Sequence, residues 1–183
     1  IAIEPNNMLK EILELNISKA IQSSSRENFE YEIISKAISD ETRIQQCFKI
    51  ERHAGSSLSS NETSVVNAVY LDTISLNDLV ENYTSNDICL FKLDLEGSEF
   101  DALRSFKYFN RSIIAIELLD FQNQEQYISS LCIEKSLDAF MFIDKWINLT
   151  SFKNINKLGE RKISNVGLNL LLVPKTLKDK VNV

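Results

Sequence analysis

Short apolar runs alternate along this chain with stretches whose apolar residues recur at helical spacing, which admits little besides an α/β fold with βα units. The sharpest run covers residues 88–95, followed by Gly97 and a helical pattern with Phe100, Leu103 and Phe106 on one side. Residues 113–116 read as a short apolar strand ending at Glu117. A helix over 124–137, a strand over 139–143 and a last strand over 167–173, closed by Pro174, complete that half. At the other end, Ile1-Ala2-Ile3 reads as a strand stopping at Glu4-Pro5. Asn6 or Asn7 then caps a helix with Met8, Leu9, Ile12, Leu13 and Ile17 at helical spacing. A second strand over 31–38 stops at Ser39-Asp40, and Ser75-Leu76-Asn77-Asp78 resembles a capping box opening a short helix. Residues 43–72 alternate loosely around Gly55 in a Ser-rich stretch and read as a β excursion or flap. The expectation is one domain over residues 1–183. Its strands near 1–3, 31–38, 88–95, 113–117 and 139–143 should lie parallel in one sheet, with 167–173 antiparallel at or near an edge.

Composition removes several function classes. With 44% apolar and 25% charged residues among 183, the chain has the balance of an ordinary globular domain. A net charge of -6, with no basic tract, argues against nucleic acid as a partner. No apolar stretch approaches the ~18 residues needed to cross a bilayer. No basic-then-apolar leader is visible, so the reading is cytoplasmic. Cys47, Cys89 and Cys132 lie far apart without a CxxC, which suggests neither a disulfide framework nor a zinc site.

The acids carry the information. Predicted strands end in carboxylates at Glu4, at Asp40, at Asp94 with Glu96, and at Glu117. Open α/β sheets bind ligands at the carboxyl ends of their strands, where loops have no core duty. Any one such acid can simply meet water or cap a helix; the recurrence points to a site for a polar or cationic ligand. Strand periodicity puts Lys92, Asp94 and Glu96 on one face, opposite Phe91, Leu93 and Leu95. If that strand is covered, each ionisable group needs a partner or an opening to water. An internal Lys92–carboxylate pair that merely fixes packing is the bland alternative.

Glu4 adds a second message. An acid at the end of the second strand of a nucleoside-binding fold accepts hydrogen bonds from ribose hydroxyls, ~20 residues after a glycine-rich turn. Counting back from Glu4 runs off the start of the chain, and no G-x-G-x-x-G occurs elsewhere.

Several segments, in order, resemble FkbM-type methyltransferases. Ile3-Glu4-Pro5-Asn6 with Leu13-Glu14-Leu15-Asn16 looks like that family's E-P-x-P…L-x-x-N stretch. Ala37-Ile38-Ser39-Asp40 resembles A-[LIV]-S-D, and Ser56-Ser57-Leu58 is similar to the S-S-L flap. The segment 71–79 resembles the T-L-D-D-L lead-in. Lys92-Leu93-Asp94-Leu95-Glu96-Gly97-Ser98-Glu99 matches K-[IL]-D-[VIL]-E-G-x-E, the most specific of these, and Ile114-Ala115-Ile116-Glu117 resembles I-x-I-E. The resemblance spans about residues 1–173.

It implies a Rossmann-like class I methyltransferase sheet, mostly parallel with an antiparallel last strand. Here that sheet would lack its first strand and the D-x-G-A-N-x-G loop that cradles the methionine end of the donor. The implied cofactor is S-adenosylmethionine, and the implied reaction is methyl transfer to a hydroxyl of a sugar, glycolipid or polyketide-like acceptor. Carried over, Glu4 would hold the ribose hydroxyls, while Asp40, with Ile38 or Ser39 nearby, would border the adenine. Asp94, Glu96, Lys92, Glu99 and Glu117 would line the donor and acceptor cleft.

Displacement at a sulfonium is in-line, so positioning supplies much of the acceleration, and a base that takes the hydroxyl proton adds more. Asp94 is the first candidate base, with Glu96 beside it. His53 is the second, because imidazole titrates near neutrality and this is the only histidine. Nothing in the spacing demands a metal. The rival reading is a methyltransferase-like domain that no longer catalyses and serves as a binding or scaffold part of a larger polypeptide. A nicotinamide-dependent enzyme is a weaker rival, since the 92–99 segment has no role in hydride transfer.

Overall fold

The computed structural model describes residues 1–24, 30–49, 57–58, 68–84, 86–95, 97–118, 121–142, 146–149 and 168–181. β1 (Ala2–Ile3) leads into α1 (Asn7–Ser23), β2 (Ile33–Ile34) and β3 (Ala37–Ser39). β4 (Gln46–Lys49), β5 (Ser57–Leu58) and β6 (Ala68–Leu71) follow, then β7 (Thr73–Ser75) and α2 (Leu76–Tyr83). The C-terminal half holds β8 (Cys89–Leu93), α3 (Glu99–Arg104), β9 (Ser112–Leu118) and α4 (Phe121–Glu134). β10 (Leu137–Phe142), β11 (Trp146–Asn148) and β12 (Leu168–Pro174) complete this mixed α/β fold.

Five strands form the main sheet in the order β11-β10-β12-β9-β8. β8 runs parallel to β9, while β12 runs antiparallel to both β9 and β10. β8, β9 and β10 therefore share one direction. The last strand, expected antiparallel at or near an edge, is antiparallel and third of the five, between β9 and β10. Leu170, Leu172 and Val173 are fully buried there, as an apolar strand flanked on both sides permits. Only the β8–β9 pairing in this sheet is parallel, so its pairings are not mostly parallel. Ile114 and Ile116 of β9 and Met141 of β10 join these residues in having no exposure.

The expected single sheet is also not formed. β1 pairs in parallel with β2, and β3 with β7, as separate two-stranded sheets. The expected strand over 31–38 breaks at Ser35-Lys36, so its halves face different partners. A groove of about 400 Å³ separates β1 from β8, lined by Ile1, Ala2 and Ile3 on one side and residues 89–95 on the other. Among the described residues β1 pairs only with β2 and β8 only with β9, which leaves each strand one unpaired edge. Over residues 43–72, the described parts form a three-stranded antiparallel sheet in the order β5-β4-β6.

The helices follow their local signals. The Asn6 side chain accepts from the Met8 N–H at 3.0 Å and caps α1. No residue of α1 is buried, however, and Met8, Ile12 and Leu15 form an outward apolar stripe, each more than half exposed. α4 starts at Phe121, earlier than the expected 124, and ends at Glu134. Ser136, in the left-handed region at φ 54°, turns the chain into β10. Among the described residues, no helix is long and apolar enough to cross a membrane. Cys89 and Cys132 are buried free thiols, and burial pushes the Cys132 thiol up to about 11, which keeps it unreactive.

Ser75 caps α2 by accepting from the Asp78 N–H at 3.1 Å, and Leu76, Leu79 and Val80 turn inward. The Asp78 carboxylate in turn accepts from the Thr42 and Ser75 hydroxyls, which hold its pKa below the ordinary carboxylate value. With the folded value depressed, this contribution is present above the unfolded value and is lost as pH falls through the folded one. Thr42→Val should therefore cost about 1 kcal/mol at neutral pH and move acid unfolding to higher pH, as urea titrations across pH would show.

Candidate functional site

β8 presents the sharpest sequence segment in the alternation its residues predict. Leu93 is buried, while Lys92 and Asp94 are about half exposed. The strand is thus open on its charged face and not covered on both. The Lys92 ammonium lies 3.3 Å from Asp94 Oδ2 and 3.7 Å from Glu117 Oε2. Register explains the bridge, because Lys92 stands opposite Ala115, and Glu117 follows two residues later on the same face of β9. Asp94 emerges just past the last residue of β8, and Glu117 is next to last in β9, so both carboxylates sit at the carboxyl end of the parallel pair.

The groove beside β8 takes Lys92 and Asp94 from that strand, Ile38 from β3, and Leu79 and Val80 from α2. These bring three of the sequence-predicted site residues to one place. The groove lining does not include Glu4, Ser39, Asp40, Glu99 or Glu117. Glu4 follows β1, where its backbone N–H donates to Ile34 O at 3.1 Å and its Oε1 accepts from the Asn6 N–H at 2.7 Å. One carboxylate oxygen is thereby fixed at the strand end. Asp40 accepts from the Ser39 hydroxyl at 3.0 Å and pairs with Arg43 at 3.5 Å, while its carbonyl accepts from Ser105 beside α3.

Glu99 differs most from expectation. Its residue is 1% exposed, and Oε1 accepts from the Leu95 and Gly97 N–H groups at 2.7 and 3.3 Å. It faces its own loop and not a cleft. Glu96 and His53 lie outside the described residues. Among those described, no group of three or more His, Cys, Asp or Glu could hold a metal ion. Sequence reasoning missed Arg43 as the counter-ion of Asp40 and Asn6 as the residue whose amide fixes Glu4. The second had a signal in the cap position, whereas the first had none.

Fold and charged groups together define a mixed α/β domain in which Glu4, Asp40, Asp94 and Glu117 lie at the carboxyl ends of strands. Residues 1–160 match the family model for the methyltransferase FkbM domain, and the chain belongs to that methyltransferase family. No curated protein and no solved structure matches it.

Half-exposed ion pairs are screened by water and contribute little. Lys92→Met should therefore cost no more than about 1 kcal/mol of stability, far less than breaking a buried pair. Thermal unfolding of the variant measures this, and a loss several times larger would mean that the pair is buried in solution.

Proposed function

We propose that this domain transfers the methyl group of S-adenosylmethionine to a hydroxyl oxygen of a small-molecule or glycan acceptor, such as a sugar, glycolipid or polyketide-like molecule. The observation that carries the reading is Asp94: an exposed carboxylate at the end of β8, on the rim of a groove, held by a lysine that also reaches Glu117. Family membership supports it. So does the shared direction of β8, β9 and β10 with β12 reversed among them, which suits a Rossmann-like sheet.

The residues present fit the donor in part. Glu4, with one oxygen tied by the Asn6 amide, offers the other side of its carboxylate to a ribose diol. Ile38, on the groove wall, gives an adenine ring an apolar surface, and Ser39 and Asp40 follow it in the chain. Nothing among the described residues cradles the methionine end. We assign that part to one further strand between the facing edges of β1 and β8, ending in a glycine-rich turn.

Bound there, the donor supplies a methyl group on a sulfonium. The protein's own share is to align the acceptor hydroxyl and receive its proton on Asp94. Lys92 restrains that carboxylate, and Glu117 shares the lysine so that neither acid is pinned by it alone.

Donor binding tests the reading. Calorimetry should give weak or no binding of S-adenosylmethionine to the 183-residue chain. With the further strand and turn present, affinity should reach the micromolar range, about 8 kcal/mol. Equal tight binding by the short chain would show that the site is misplaced, and none by either would favour the non-catalytic scaffold.

Within an active domain, Asp94→Asn should lower the methylation rate ~10²-fold with little change in donor affinity. Glu4→Gln should weaken donor binding and spare the rate at saturation, because a ribose contact is made equally in ground and transition states. Normal turnover by Asp94→Asn would remove Asp94 from the mechanism.

A further inference from the structure

We infer that Glu99 is the positioning residue of the Asp94 loop, its buried carboxylate holding the backbone that sets where Asp94 points. The inference rests on reading Asp94 as the proton acceptor. The last ladder pair of β8 is Leu93 with Ile116, and among the described residues the Leu95 and Gly97 amides beyond it donate to no strand. Both donate to Glu99 Oε1, at 2.7 and 3.3 Å. A polar side chain held this deep needs hydrogen-bond partners, and these two amides are the ones the Glu99 carboxylate finds. The Ser98 N–H closes the turn onto Leu95 O at 3.2 Å.

Gly97, at φ 99°, takes a conformation that a side chain would strain, so it permits the turn without anchoring it. The anchor is Glu99. Its leverage on Asp94 is direct. The Leu95 amide shares one rigid peptide plane with the Asp94 carbonyl, so fixing that N–H fixes the plane from which the Asp94 side chain departs. Asp94 thus stays within reach of Lys92 while half exposed. At 1% exposure and outside the groove lining, Glu99 is poorly placed to touch a substrate itself.

Two substitutions separate acceptor reach from charge. Glu99→Gln keeps a carbonyl oxygen at the same reach and loses the charge; Glu99→Asp keeps the charge and is one methylene shorter. Amide exchange followed by NMR on the whole protein, with a pH titration of the Asp94 carboxyl, reads both effects. Glu99→Gln should leave exchange at Leu95 and Gly97 within about twofold of the parent, with the Asp94 titration in place. Glu99→Asp should speed exchange at both amides about tenfold and move the Asp94 titration, while Ile114 and Ile116 in β9 keep their protection.

The reverse order, with Gln loosening the loop and Asp not, would overturn the proposal in favour of a role for the charge. Parent-like exchange in both variants, or equal loosening of β9, would overturn it as well. Neither readout involves donor or acceptor. Failure here therefore leaves the methyl-transfer reading standing, and absence of donor binding leaves this result intact.

Discussion

The pairing of β9 with β8 on one side and β12 on the other fixes most of what matters here. β9 contributes Ile114 and Ile116 to the core, each without exposed surface, and alternation then turns Ala115 and Glu117 to the opposite face. The parallel register with β8 places Lys92 opposite Ala115, which brings its ammonium within reach of Glu117 and of Asp94 beyond the strand end. A slip of one residue would turn Ile114 and Ile116 away from the core and carry Glu117 to its face. Hydrophobic burial thus sets the electrostatics. The charged groups are where they are because two isoleucines must be inside.

Much of this was legible in the sequence because it is local. The capping chemistry at Asn6 and at Ser75 with Asp78 needs only neighbours in the chain, and both caps form. The alternation from Phe91 to Leu95 needs only strand periodicity, and the side chains divide as it requires. The segment around Asp94 carried the family on its own residues, and that family holds.

What stayed hidden depends on distant partners. Nothing near Leu168–Pro174 says that this strand will insert between β9 and β10; its apolar composition is compatible with an edge or a centre. The break between β2 and β3 arises because one half pairs with β1 and the other with β7, a choice made by chain far away in sequence. Glu99 misled for a related reason. Strand-end acids read alike in sequence, and only burial separates a carboxylate that binds its own backbone from one that meets water. Arg43, three residues beyond Asp40, shows the same limit for a surface charge in a loop.

The placement of β12 bears on the order in which the sheet can assemble. β9 and β10 are separated by α4 alone, yet they never pair with each other; each waits for a strand that arrives some thirty positions after β10 begins. Until Leu168–Pro174 is available, β9 and β10 both display bare ladder edges flanked by apolar side chains. Loop closure over that separation must precede the reward from burying Leu170, Leu172 and Val173, which is the kind of ordering that slows folding. Of the described strands β12 is made last, so this sheet's centre is finished after its flanks. β12 thus hides two edges at once, and the sheet is most exposed to mispairing before that strand has been made.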